Sequence, residues 1–97
     1  MKTGIELITE ERQRQISQEG WTPEHDDDHD RCELTAAAHC YMEEAAQQTL
    51  DGHAQGDFPE DWPWHESWWK PSDAVRNLTK AGALIAAEID RLQRLNA

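Results

Sequence analysis

The sequence predicts an all-α protein, a small helical bundle of three main helices joined by one ordered loop. Three segments, 4–19, 28–50 and 72–95, carry apolar residues at the three- and four-residue spacing of an amphipathic helix. No segment alternates polar and apolar residues as a half-buried strand does. At 97 residues the chain is expected to form one domain over 1–97, and with only 37% hydrophobic residues its core must be modest.

The first helix, over 4–19, is predicted to end at Gly20, because glycine readily adopts the left-handed conformation that closes helices. Its glutamate and glutamine residues mostly face away from its apolar side. Three isoleucines define that side: Ile5, Ile8 and Ile16.

Arg12 falls near the middle of the isoleucine face, which leaves two interpretations. Its aliphatic stem covers the core while the guanidinium reaches water, or the whole side chain is buried. A buried arginine requires a carboxylate partner, because an unpaired buried charge is very costly. The candidate partners are Glu33, Glu44 and Glu88.

The second helix, over 28–50, carries an apolar stripe that should face the core. A short helical turn could precede it, with Thr22 as N-cap and Pro23 in the first helical position. Cys32 and Cys40 lie eight residues apart, too far along one helix for a disulfide, so we expect reduced thiols. The stripe consists of Leu34, Ala37, Ala38, Tyr41, Met42 and Ala45.

The third helix, over 72–95, is predicted to start with Ser72 as N-cap. Its apolar arc covers about half the circumference, more than one neighbouring helix can bury. It should therefore pack centrally or supply the interface of a homodimer, which would complete a small core. The main stripe is Val75, Leu78, Gly82, Ile85, Ile89 and Leu92, widened by Ala81, Leu84, Ala87 and Leu95.

Residues 57–70, DFPEDWPWHESWWK, combine prolines and tryptophans without a helical or alternating period, which indicates an ordered loop. One interpretation is that the tryptophans cover the small core. The other is that they form an aromatic contact surface, since tryptophan is enriched at the centres of interfaces.

A formal net charge of −11 is concentrated in the middle of the chain, where residues 23–70 carry two basic and thirteen acidic groups. Such a segment repels nucleic-acid phosphates and anionic membranes and attracts basic protein surfaces. We therefore expect no direct nucleic-acid binding and no membrane association. No apolar run approaches the ~20 residues that cross a bilayer and no signal peptide is evident, so a cytoplasmic protein is expected.

The stretch WTPEHDDDHD at 21–30 has three interpretations. Acidic residues are favoured at the positive end of a helix dipole. Carboxylates spaced along one helix face could also bind a divalent metal, with Asp27, Asp30 and Glu33 as ligands for Mg²⁺. A zinc site using His25, His29 or Cys32 has a weaker pattern. The third interpretation is a negative surface for a basic partner.

The segments ERQRQ, EGWTPEHDD, WWKP and AEIDRL resemble, over nearly the whole chain, a family of small proteins encoded by phages and prophages. This resemblance implies an accessory role in infection: nucleotide metabolism, host takeover or countering host defence. In such a setting the protein would act in the host-cell cytoplasm.

A looser similarity is to the all-α MazG-like nucleotide pyrophosphohydrolases, which are often dimeric and hold Mg²⁺ with E-x-x-E and E-x-x-D pairs on neighbouring helices. Asp30 and Glu33 would stand for the first pair. Lys80 and Ala83 stand where acids of the second pair would be expected. The similarity thus implies magnesium binding with only part of the ligands that two-metal phosphoryl chemistry needs.

Two functional hypotheses follow. In the favoured one, the protein is not an enzyme but binds the basic surface of a host or defence protein, as an inhibitor that competes with nucleic acid would. It then needs no cofactor and no catalytic residue. The partner-binding residues are Asp26, Asp27, Asp28, Asp30, Asp57, Asp61, Trp62, Trp64, Trp68 and Trp69.

The alternative is a Mg²⁺-dependent nucleotide pyrophosphohydrolase, or a nucleotide-binding relic of one. Here the acidic stretch would hold Mg²⁺, Arg12 or Lys80 would neutralise phosphate, and a tryptophan would stack on the base.

Overall fold

The computed structural model describes residues 1–51 and 58–96, and these residues form helices and loops without any strand. The all-α prediction is therefore confirmed. The elements are α1 (Gly4–Glu19), α2 (Pro23–Asp26), α3 (Glu33–Asp51), a short 3-10 helix (Glu66–Trp68) and α4 (Ala74–Leu95).

The first helix has the predicted end. At its N-terminus Thr3 and Glu6 form a reciprocal capping box, each side chain accepting a hydrogen bond from the other residue's backbone N–H. At its C-terminus Gly20 adopts a left-handed conformation with φ of 73°.

The predicted second helix was wrong at its N-terminus. The chain forms the short α2, capped by Thr22 and started by Pro23, and then leaves the helical path before α3 begins at Glu33. Cys32, the residue before α3, adopts φ of 65°, a left-handed conformation that does not continue an α-helix, so α3 cannot extend further towards the N-terminus. At the start of α4, Asp73 rather than Ser72 is the N-cap.

Helix α4 lies centrally and contacts α1, α2 and α3, as one of the two sequence interpretations required. The core lies mainly between α3 and α4, and the loop before α4 covers it. Met42, expected in the buried stripe of α3, is exposed. The core residues are Leu34, Ala37, Ala38, Cys40, Tyr41, Trp62, Ala81, Leu84 and Ala87.

The prediction for the buried face of α1 was right only in part, since Ile8 and Ile16 are half-buried but Ile5 is not. Ile5 is 79% exposed, whereas Glu11 and Gln15 are each only 3% exposed. The reason is electrostatic: arginines of α1 and α4 surround the Glu11 carboxylate, so burying this polar face leaves no isolated charge.

The main apolar stripe of α4 remains at the surface although the helix is central, because α4 turns its alanine-rich side towards α3. None of the helices in 1–51 and 58–96 is both long and apolar enough to span a membrane. The exposed stripe consists of Val75, Leu78, Ile85, Ile89 and Leu92.

Candidate ligand-binding site

Trp62 attaches the loop before α4, which we call the tryptophan loop (residues 58–70), to the core. Its side chain is buried, and its indole Nε1 donates a hydrogen bond to the His65 carbonyl oxygen at 3.1 Å. Its ring meets Tyr41 and Trp69 in edge contacts, with centroid distances of 5.6 and 5.0 Å. Such pairs stabilise a fold beyond the area that they bury. Trp62 therefore covers the core.

A closed ring of four aromatic side chains lies beside this anchor. Trp21 contacts His25 at 6.1 Å and Trp64 at 5.2 Å between ring centroids. His29 closes the ring, at 4.9 Å from His25 and 5.1 Å from Trp64. The WTPEHDDDH stretch thus contributes three of the four rings, and the tryptophan loop contributes the fourth.

These rings form one wall of a cavity of about 430 Å³, which we call the aromatic pocket. Its volume is within the range of ~300–1,000 Å³ usual for small-molecule sites. Trp68, which is 48% exposed, stands at this pocket. The pocket is lined by Glu19, Trp21, His25, His29, Trp64, His65 and Trp68.

A second, narrower cavity adjoins the aromatic pocket. Glu19, Trp21 and Trp68 line both cavities, so the two lie side by side. The second cavity brings together basic residues from three elements, and we call it the cationic pocket. Its charged lining is Glu11, Arg14, Glu19, Lys70 and Lys80.

Glu11 holds the arginines of the cationic pocket in place. Its carboxylate accepts hydrogen bonds from Arg14 Nε at 2.8 Å and from Arg76 Nη2 at 2.6 Å. Burial alone raises the pKa of Glu11, but the hydrogen bonds from Arg14 and Arg76 outweigh it, so the pKa lies below its ordinary value. Arg14 also reaches Glu19 at 3.2 Å. The side chains are thereby fixed before any ligand arrives.

Lys80 places an ammonium group in the same pocket, and no carboxylate of residues 1–51 or 58–96 forms an ion pair with it. Its Nζ donates to the Lys70 carbonyl oxygen at 2.5 Å and lies 5.4 Å from the centroid of the Tyr41 ring. Burial, and then the positive charge of Arg76, lower the pKa of Lys80. A desolvated ammonium group next to guanidinium groups favours an anion as its partner.

Two buried polar atoms at these cavities have no hydrogen-bond partner within the described part of the chain. They are Oε1 of Gln15, an acceptor at the cationic pocket, and Nε1 of Trp64, a donor at the aromatic pocket. Unsatisfied buried groups cost free energy and are rare in folded proteins. A ligand with polar edges would satisfy them.

The residues of the acidic stretch are separated by the fold. Asp26 is fully buried and forms an ion pair with Arg12 at 2.5 Å. The carboxylate partner of Arg12 is therefore Asp26 and not one of the three predicted glutamates. Asp27 pairs with Arg94 of α4 at 2.7 Å. The carboxylates of Asp28 and Asp30 are at the surface.

The residues proposed for magnesium do not converge. Asp27 binds Arg94, while Glu33 accepts a hydrogen bond from the backbone N–H of Arg31 at 2.6 Å. Within 1–51 and 58–96 no group of three or more His, Cys, Asp or Glu residues has the arrangement of a metal site.

The remaining predicted partner residues occupy different environments. Trp64 and Trp69 are partly buried against the core, Trp68 and Asp61 are exposed, and Asp57 lies outside the described residues. The fold therefore gathers the tryptophans but divides the aspartates among a buried ion pair, a surface ion pair and open surface.

No protein-family model matches the chain, and no curated protein or solved structure matches it either. The functional argument therefore depends on the two pockets themselves.

Sequence reasoning missed three contributors to these pockets. Glu11 was expected to face away from the isoleucines, Arg14 was given no role, and Arg76 joins Glu11 from 65 residues away. His25 and His29 were considered only as zinc ligands, although their spacing of four places both rings on one side of the chain, next to Trp21 and Trp64.

Proposed function

We propose that the protein binds a small aromatic anion of the nucleotide class. The base would lie in the aromatic pocket and the phosphate in the cationic pocket. The observation that carries this proposal is that the two cavities are adjacent and share Glu19, Trp21 and Trp68 in their linings. A ligand that fills both needs an aromatic end and an anionic end joined by a short connection.

The aromatic end is supported by the exposed rings. Base stacking on aromatic side chains is worth about 1–3 kcal/mol per base and accepts any base, since each has a π face. Trp68 is exposed enough to stack on a ligand, and the Nε1 of Trp64 can donate to a ring nitrogen or carbonyl.

The anionic end is supported by the gathering of positive charge. Four of the nine basic residues of a chain with net charge −11 meet here. Arginine and lysine form strong charge-assisted hydrogen bonds with phosphate oxygens. Glu11 fixes the guanidinium groups, and the Lys80 ammonium group forms no ion pair with a carboxylate of the described residues. The four residues are Arg14, Lys70, Arg76 and Lys80.

The proposal develops the nucleotide alternative from the sequence but relocates its parts. Lys80 retains its expected role, whereas Arg12 is occupied by Asp26. Binding follows from this arrangement without a metal, so hydrolysis is not part of the proposal.

Isothermal titration calorimetry with a nucleoside monophosphate, the matching nucleoside and inorganic phosphate tests this function. We expect the monophosphate to bind more tightly than either fragment, because only it occupies both pockets. Lys80→Met should weaken binding about tenfold, the loss of one charge-assisted contact worth ~1.4 kcal/mol. Trp68→Ala should weaken it several-fold through lost stacking.

Lys2→Met is the matched control. It removes the same charge as Lys80→Met, but from the surface, where Lys2 pairs with Glu10. The proposal is wrong if no purine or pyrimidine nucleotide gives a saturable heat of binding, or if Lys2→Met weakens binding as much as Lys80→Met does.

A second candidate, docking of a basic protein segment, is supported by a polar groove beside α3. Four carboxylates and the exposed ring of Phe58 line this groove. Charge attraction would steer a basic partner to it and would weaken with salt as the Debye length falls from ~10 to ~3 Å. The carboxylates are those of Glu43, Glu44, Glu60 and Asp61.

A lysine- and arginine-rich peptide tests this second candidate by fluorescence anisotropy at increasing salt. Glu43→Gln with Asp61→Asn should weaken binding, whereas Lys80→Met should not. Binding that is independent of salt, or that the double variant leaves unchanged, would exclude the groove.

A further inference from the structure

The exposed stripe of α4 has the spacing of a coiled-coil seam. Its positions 75, 78, 82, 85, 89 and 92 follow one another at intervals of three, four, three, four and three residues, the alternation of a heptad repeat. An exposed helix face with this repeat is suited to pack against another helix. The five apolar side chains on it remain between 43% and 64% exposed.

Two more exposed apolar side chains extend the stripe, Ile5 of α1 at 79% exposure and Leu95 at the end of α4 at 67%. Monomeric proteins rarely expose contiguous apolar patches of more than a few hundred Å², and larger patches mark interaction sites. A face of seven large apolar side chains, each at least 43% exposed, is therefore typical of an interface.

Helix α1 contributes to the same face at the middle of the seam. Gly82 has no side chain, and a Cβ built there would lie 2.5 Å from Cδ1 of Ile8. Ile8 thus occupies the place of the missing seam residue. Near one end of the seam, a groove between Leu7, Val75 and Thr79 offers a recess for a side chain from outside.

The distribution of charge favours a second copy of this chain as the occupant. Residues 23–70 carry a net charge of −11, so two copies repel each other over most of their surface. Residues 71–97 carry four basic and three acidic groups and are nearly neutral. At the seam flanks, Glu88 is neutralised by Arg91 at 2.6 Å. The apolar face is therefore the region where two copies meet with little repulsion.

We propose that the protein is a homodimer in which the seam of α4, with Ile5 and Ile8 of α1, packs against the same face of a second copy. The assembly contains the α1 and α4 helices of both copies as a four-helix arrangement. The cationic and aromatic pockets are not part of this face, so the dimer is independent of the ligand proposal.

Sedimentation-velocity ultracentrifugation of the full chain at micromolar concentration tests the dimer. We expect the wild type to have twice the mass of the chain. Ile89→Glu should raise the dissociation constant at least a hundredfold and leave a monomer of unchanged helix content by circular dichroism. Leu50→Glu is the matched control, because Leu50 is an exposed apolar residue on α3 and should leave the dimer intact.

Ile85→Glu serves as a second seam variant in case Ile89→Glu does not fold. A wild type that sediments as a monomer overturns the proposal. A dimer that persists in both seam variants, or that Leu50→Glu disrupts equally, also overturns it, because the contact would then lie elsewhere.

Discussion

Replacing Glu11 by glutamine should show how much the buried ionic network of α1 contributes to folding. The carboxylate is 3% exposed and accepts charged hydrogen bonds from Arg14 and Arg76, whose side chains are about one-third exposed. Removing one partner of a fully buried pair costs about 3–5 kcal/mol, and screening at the exposed arginines reduces this to about 2 kcal/mol. For a chain of this size the melting temperature should fall by about 10 °C.

Urea unfolding followed by tryptophan fluorescence measures this loss, and its pH dependence identifies the cause. The pKa of Glu11 is lowered in the fold from an ordinary value of 4.5. Its stabilisation is therefore complete above pH 4.5 and is lost as the pH falls through the lowered folded pKa. Wild type and Glu11→Gln should accordingly converge in stability at acid pH.

Glu10→Gln is the control for this prediction, because Glu10 forms an exposed pair with Lys2 and should change stability by less than about 0.5 kcal/mol. Equal stability of Glu11→Gln and wild type at neutral pH would refute the reasoning. A difference in unfolding free energy between wild type and Glu11→Gln that stays constant below pH 4.5 would also refute it.

Three further substitutions test the fold by urea unfolding at one protein concentration. Asp26→Asn should cost about 3 kcal/mol because it leaves a buried arginine unpaired, whereas Asp28→Asn at the surface should cost almost nothing. Gly82→Ala should cost about 1 kcal/mol through its clash with Ile8, and adding Ile8→Ala should give less than the sum of the two single losses. Gly20→Ala should cost about 1 kcal/mol, since φ of 73° disfavours any residue with a Cβ. If Gly20→Ala and the wild type were equally stable, the C-terminal cap of α1 would not require a left-handed residue.

The helices themselves could be predicted from the sequence, because each has a strong local signal. Capping residues, a closing glycine and three- or four-residue apolar spacing locate α1 and α4 to within two residues, and the C-terminus of α3 to within one. The non-helical segment between α2 and α3 could not be predicted. Its last residue, Cys32, has a left-handed conformation, which cysteine rarely adopts and which no local pattern indicates.

The candidate site could be predicted only in part. The density of tryptophans marked the loop, and its prolines marked it as ordered. Which charges meet in the cationic pocket depends on tertiary contacts, such as that between Arg76 and Glu11. The sequence analysis considered the aspartates of residues 21–30 because of their charge. In the structure it is the aromatic rings of the same segment, Trp21, His25 and His29, that line the aromatic pocket.

Hydrophobic patterning fails at two of the places for which a function is proposed. Helix α1 buries Glu11 and Gln15 while exposing Ile5, and α4 buries its alanines and Leu84 while exposing most of its larger apolar side chains. A chain selected for monomer stability alone would turn both helices the other way, because burying isoleucine and leucine stabilises a fold more than burying alanine. Departures from local patterning are expected at functional sites. The proposed ligand pocket would account for the polar face of α1, because it needs fixed charges, and the proposed homodimer would account for the exposed apolar face of α4.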